Sequence, residues 1–209
     1  STLDNAENAL AARSDAEYLP VFVDAQHLPV WEPKGYVAFC SRWEEVKGLA
    51  SMLALAEVLV ERGVDVRGLD WGPGAAEAAS VGVKLVSRMD HASYLRFLAG
   101  ASVVIGQATT ILSVSEIEAL AIGAPVAAVG SHLPGPDGRP VPIREGSVDA
   151  VAEAVLGSLR IRYSMFRSPG EFQASEGIPR RGSQTPSVVD WVVGASVLRV
   201  KRVHCAPRL

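Results

Sequence analysis

The chain reads as an α/β domain with a doubly wound parallel sheet, Rossmann-like in plan. Three observations predict it. Short apolar runs rich in Val, Ile, Leu and Ala recur between residues 36 and 143, and segments of helical period separate them. Alternation at this spacing implies βαβ units, hence parallel strands. The runs are almost continuously apolar, as strands covered on both faces must be. The 209 residues, 48% of them hydrophobic, suffice for one such domain with appendages.

The elements follow in order. Residues 1–17 suggest a short helix from Asp4 to Arg13, and Tyr18 to Val23 a strand. The proline-bearing turns Leu28-Pro29 and Glu32-Pro33 then read as a linker entering a domain. Tyr36 to Cys40 is the first apolar strand. A helix is expected from about Glu45 to Glu61, with Leu49, Met52, Leu53, Ala56, Leu59 and Val60 at the helical period and Gly63 past its end. Val64 to Leu69 is the next strand, Gly72-Pro73-Gly74 a turn, and Ala75 to Ser80 a short helix. Val83 to Val86 is a strand, and Asp90 caps a helix through Leu98. A strand at Ser102–Ile105, a loop at 106–112 and a helix at about Ser113–Ile122 follow. Then come strands at Val126–Val129 and Val141–Ile143, with a closing helix at Val148–Leu159. Beyond it, residues 168–187 are rich in breakers and read as loop or disorder, while the period of 188–203 is ambiguous. This divides the chain into a lead-in at 1–34, a Rossmann-like domain at 35–160 and an irregular basic tail at 161–209.

The formal net charge is −3, which does not suggest a nucleic-acid binder. The charge is uneven: residues 160–209 carry +6 and the first 159 carry −9. A solvated tail is the plainer account, with weak contact to anionic lipid or a partner as the alternative. The two cysteines, Cys40 and Cys205, have no metal-ligand spacing and fit a reducing compartment, with Cys40 as a small buried apolar residue. Neither an 18-residue apolar run nor a signal-peptide pattern is present, so a cytoplasmic protein is expected.

Ligands of open α/β sheets bind outside the carboxyl ends of the strands. Arg42, the Gly72–Gly74 turn, Arg88 and the 106–112 loop all fall at that edge. Arg42 and Lys47 flank a helix start, which makes a site for a doubly charged anion, although two solvated loop charges would look the same. The run Gly72-Pro73-Gly74-Ala75-Ala76-Glu77 is a broken dinucleotide fingerprint, with Glu77 at the third glycine and the wrong strand before it. No Walker-type loop and no G-x-S-x-G elbow occurs. His91 is expected as an exposed first-turn residue, and His132, in a Gly/Pro loop near the sheet edge, could face a ligand. Of Glu116 and Glu118, one should face the sheet edge and the other solvent, since positions two apart on a helix diverge. A carboxylate at that edge offers two acceptor oxygens to a pair of sugar hydroxyls.

These motifs together resemble the carboxy-terminal, donor-binding domain of GT-B glycosyltransferases, closest to the retaining E-x7-E family. Its F-x-G-R, four variable residues, K-G pattern is matched from Phe39 to Gly48, with Ser41 in place of glycine. Its G-x-G-P turn is similar to Asp70-Trp71-Gly72-Pro73, and its E-A-x-A-x-G-x-P-V to Glu118 through Val126. The interdomain linker is similar to Val21-Phe22-Val23-Asp24 through Glu32-Pro33. The resemblance covers about residues 18–159.

It implies a nucleotide-diphosphate sugar as substrate, with a UDP- or GDP-sugar as the donor, and no metal or other cofactor. Arg42 and Lys47 would hold the diphosphate and offset its growing charge, as the catalytic cations. Glu118 would hold the ribose, Arg88 and Met89 would flank the base, and Gly72 would form the turn beside the site. Thr110, Ile111 and Leu112 occupy the place where the family has a first glutamate and glycines against the transferred sugar. The acceptor site would lie on an amino-terminal GT-B domain outside this chain, supplied in cis or in trans. Three activities therefore stay open: glycosyl transfer by this donor half, nucleotide-sugar binding without transfer, and sugar-nucleotide epimerisation.

Overall fold

The structure is a computed structural model, and it describes residues 27–134 and 139–166, with residues 12, 23 and 24 besides. The expected helix at 4–13, the strand at 18–23 and the segments at 168–187 and 188–203 lie outside the described residues, apart from those three isolated positions. Six strands form one sheet: β1 (Tyr36–Phe39), β2 (Asp65–Leu69), β3 (Lys84–Val86), β4 (Ala101–Ile105), β5 (Val126–Val129) and β6 (Arg144–Gly146). Among the described residues, five α-helices flank them: α1 (Leu49–Glu61), α2 (Ala75–Ser80), α3 (His91–Ala99), α4 (Val114–Ile122) and, after β6, α5 (Val148–Phe166). The sheet order is β3-β2-β1-β4-β5-β6, and every pairing is parallel. The doubly wound parallel sheet read from the apolar pattern is therefore what the chain forms.

Alternation along the central strands splits the core in two. Val37 and Phe39 of β1 join Val103 and Ile105 of β4 on one face, under α1, α2 and α5. Tyr36, Ala38 and Cys40 point to the other face, with Ala101 and Val104, under α3 and α4. The lead-in segment is tied to this second face: Trp31 donates from Nε1 to the Ala101 carbonyl at 2.8 Å. The amides of Glu32 and Lys34 donate to the carbonyls of Ala99 and Gly100.

Three elements depart from the sequence reading by more than a residue. Residues 45–47 form a separate 3-10 turn, and α1 begins only at Leu49. Gly48 between them has φ 78°, a left-handed conformation that no continuous helix can contain. The last strand is Arg144–Gly146 rather than Val141–Ile143. Pro142 has no amide proton for a ladder, and an edge strand does not need apolar residues on both faces. The closing helix also runs on to Phe166. No helix among the described residues is long and apolar enough to cross a membrane.

Winding runs outward from β1 through β2 to β3, then returns to β4 on the other side of β1. The switch point thus lies between the carboxyl ends of β1 and β4, and in folds of this kind a crevice opens there.

Candidate functional site at the carboxyl edge of the sheet

The chain leaving β1 is held in place by one buried indole. Trp43 is fully buried and donates from Nε1 to the Leu69 carbonyl at 3.1 Å. Its amide donates to Trp71 O at 3.0 Å, and its own carbonyl accepts from Gly74 N at 2.9 Å. The loops after β1 and β2 are therefore laced together. Gly72 makes this approach possible: at φ 108°, a Cβ there would sit 2.5 Å from the Trp43 carbonyl oxygen. The requirement for a glycine at 72 is thus packing against Trp43.

This lacing sets two cations around one exposed aromatic ring. The guanidinium carbon of Arg42 lies 5.0 Å from the Trp71 ring centroid, and that of Arg88 lies 4.6 Å from it. Each distance is within the range of a cation–π contact. Arg42 also pairs with Glu44 at 3.0 Å. Met89, next to Arg88, packs its side chain against the core under α3 and α4.

Lys47 sits at the switch point itself. Its carbonyl accepts from the Ala108 amide at 2.9 Å, and a Cβ on Gly48 would meet the Ala108 carbonyl oxygen at 2.5 Å. The segment after β1 thus rests directly on the loop after β4. In that loop Thr110 is exposed, while Ile111 and Leu112 are half-buried. The Ile111 carbonyl accepts from the side chain of Gln107 at 2.8 Å and from Thr109 Oγ1 at 3.1 Å.

Neither glutamate of α4 is solvated, which corrects the expected division of labour. Glu116 is 0% exposed and Glu118 is 7% exposed. Glu116 is the third helical residue and turns its carboxylate back to accept from the Ser113 amide. The same carboxylate accepts from the Gln107 amide at 2.7 Å, closing the 106–113 loop over the helix start. Burial raises its pKa, against the lowering effect of its bonds to Ser113 and Gln107. The helix period said that the two side chains diverge, but not that a loop would enclose the first.

Glu118 meets His91 instead of solvent: His91 Nε2 lies 2.7 Å from Glu118 Oε1. His91 is an exposed first-turn residue, as its place after the Asp90 cap implies, but its pairing partner was not legible in the sequence. Asp90 accepts from the Ser93 amide at 2.9 Å, which holds the helix start under His91. A cavity of about 380 Å³ opens beside the pair, lined by His27, Leu28, Leu95 and Arg96 with His91 and Glu118. Arg42, Lys47 and Arg88 do not line this cavity. Glu118 nonetheless stays close to the end of β1. The Cys40 thiol pKa is pushed well up, first by burial, then by the charge of Glu116 and, less strongly, of Glu118. Tyr94 donates to the Cys40 carbonyl at 2.8 Å and fixes α3 to the same point.

The edge therefore carries three groupings: Arg42 and Arg88 on Trp71, Lys47 on the 106–112 loop, and Glu118 with His91 beside the cavity. Trp71 and His91 are the residues the motif reading missed. The aromatic side chain before Gly72 was the one available signal for the first.

No protein-family model matches the chain, and no curated protein matches it. Among solved structures, the chain is similar to AviGT4, a glycosyltransferase involved in avilamycin A biosynthesis, with a TM-score of 0.49 and 19% identity. That match covers 70% of this chain and 48% of the other, so the chain spans about half the length of AviGT4.

Proposed function

We propose that this chain is the donor-binding half of a glycosyltransferase, taking a nucleotide-diphosphate sugar at the carboxyl edge of its sheet. One observation carries the reading. Two cations, Arg42 and Lys47, and the nearly buried carboxylate of Glu118 all lie at the carboxyl edge of the sheet. A nucleotide-sugar needs both: cations for the diphosphate and a two-oxygen acceptor for the ribose hydroxyls. Arg42 and Lys47 hold the diphosphate and stabilise the charge that grows on it as the sugar leaves. For Arg42 this means exchanging Glu44 for phosphate. Glu118 holds the ribose, Arg88 and Met89 border the base, and Thr110, Ile111 and Leu112 border the sugar. Gly72 keeps the 70–74 turn tight beneath them. No metal or separate cofactor is required when fixed cations do this work. The acceptor binds against an amino-terminal domain in cis or in trans, in the cytoplasm.

A second reading is nucleotide-sugar binding without transfer. It is favoured by Thr110, an exposed and uncharged residue on the loop that borders the sugar.

Calorimetric titration of residues 1–209 with UDP, GDP, UDP-glucose and GDP-mannose tests the assignment. Arg42→Ala and Lys47→Ala should each weaken nucleoside diphosphate binding by roughly 1.5–3 kcal/mol, the range for a charge-assisted hydrogen bond. Unchanged binding in both variants overturns it. A transfer assay with the same donors and an amino-terminal domain added separates the two readings.

A further inference from the structure

The loop after β5 brings a second histidine to the same edge. The Leu133 amide donates to the Thr110 carbonyl at 2.7 Å, so this loop is pinned to the one after β4. Before it, the His132 amide and ring Nδ1 both meet Glu145 Oε2, at 2.7 and 3.1 Å. An ionised carboxylate only accepts, so Nδ1 carries the proton, and in that tautomer of the ring Nε2 presents a lone pair. The His132 side chain is 0% exposed, and Nε2 has no hydrogen-bond partner.

Gln107 repeats the pattern. Its amide and side-chain nitrogen are both engaged, by Glu116 and Ile111, while its buried Oε1 has no partner. Gln107 borders Glu116, to which its amide donates, and His132 precedes Leu133, whose amide is bonded to Thr110 in the loop that carries Gln107. Two buried acceptors without donors therefore stand at the entrance to α4. Such groups are costly to leave unmade and call for an explanation. A phosphate group brings oxygens that accept, which would leave them unmet, whereas a hydroxyl donates.

We propose that His132, oriented by Glu145, is a specificity-determining residue that accepts a hydrogen bond from a hydroxyl of the sugar on the donor, with Gln107 as a second acceptor. This rests on the nucleotide-sugar reading above. His132 thereby supplies polar recognition where Thr110 brings no charge, and Glu145 acts as the positioning residue that fixes the tautomer.

Two-bond proton–nitrogen spectra of the labelled chain, residues 1–209, test it with UDP, UDP-glucose, GDP and GDP-mannose as probes. The free chain should show His132 protonated at Nδ1 alone. The sugar-bearing probe that binds should shift the His132 Nε2 resonance, and the matching nucleoside diphosphate should not. In His132→Phe, the preference for the sugar-bearing probe over its diphosphate should fall about five- to tenfold, the worth of one hydrogen bond. His132→Gln, which restores an acceptor, should recover part of it. If the probes bind but the Nε2 resonance moves equally with and without the sugar, a buried water satisfies the ring: the proposal is overturned and the nucleotide-sugar reading stands. If none of the four probes binds, that reading fails and the proposal fails with it. Should His132→Phe not fold, the spectra of the unsubstituted chain decide.

Discussion

His91 Nε2 lies 2.7 Å from Glu118 Oε1, and the carboxylate is nearly buried while the imidazole is mostly exposed. One acceptor oxygen of the proposed ribose-binding group is thus already engaged before any ligand arrives. A ribose using both oxygens must displace the ring or share Oε1 with it. Glu118→Ala should therefore weaken nucleoside diphosphate binding by roughly 1.5–3 kcal/mol, the worth of hydrogen bonds to a charged group. His91→Ala should tighten binding or leave it within a factor of three, because it frees the oxygen. Calorimetry on the two variants checks the pair. A loss in His91→Ala as large as that in Glu118→Ala would mean that the histidine, not the carboxylate, holds the ligand.

Trp71 supplies a direct optical report on the neighbouring cations. Two guanidiniums pack on its ring, and an anion that draws Arg42 or Arg88 away changes the surroundings of the indole. Nucleoside diphosphate binding should change the tryptophan emission of the chain, and Trp71→Phe should abolish most of that change. Of the other three tryptophans, Trp43, fully buried, and Trp31, bonded to Ala101, are held by the core and should contribute little, while Trp191 lies outside the described residues. A signal of undiminished size in Trp71→Phe would place the anion elsewhere.

Most of the sheet was legible in the sequence because strands buried on both faces must be apolar, and their spacing admits only crossover connections. Strand β6 was not, because Arg144-Glu145-Gly146 at a sheet edge carries no such signature. The break at Gly48 was missed because helical periodicity continues across it, and only the contact with Ala108 demands the left-handed residue. Arg42, Lys47 and Glu118 could be singled out as candidates from motif spacing. Their partners could not: Trp71, Ala108 and His91 are 29, 61 and 27 positions away and meet them only through the fold. The same limit concealed the burial of Glu116, which depends on Gln107 closing over it.

Glu116 should make stability depend on pH with a recognisable sign. Burial raises its folded-state pKa above the usual value of 4.5, despite the two amides that favour the charged form. The folded protein therefore binds this proton more tightly than the unfolded chain does. Between the two pKa values, stability from this group falls as pH rises, and below both its contribution is fully present. In Glu116→Gln the group no longer titrates. The stability difference between parent and variant should thus drift against the parent as pH rises from about 4.5 through the raised folded-state value. Urea denaturation of both proteins across that window measures the drift. A drift in the opposite direction would show that the Ser113 and Gln107 amides outweigh burial.

Gly48 and Gly72 allow packing to be separated from binding. Each has positive φ, 78° and 108°, and each would place a Cβ 2.5 Å from a backbone oxygen, of Ala108 and Trp43 respectively. Backbone cannot move aside as a flexible side chain can. An alanine at either position should cost at least about 2 kcal/mol, from the unfavourable conformation and the displaced neighbour together. The two should differ in their effect on ligand. Gly72→Ala pushes on the Trp43 lacing, which places Arg42 and Trp71, while Gly48→Ala pushes on the contact between Lys47 and the 106–112 loop. If the diphosphate sits between these groups, both variants should bind it more weakly by severalfold under conditions where each remains folded. Glycine substitution at a remote turn supplies the control: Gly35→Ala also strains a positive φ, of 88°, but its Cβ would meet no atom within 4 Å. It should lower stability while leaving diphosphate affinity unchanged. Equal affinities in all three variants would separate the glycine contacts from ligand binding altogether and reduce them to packing.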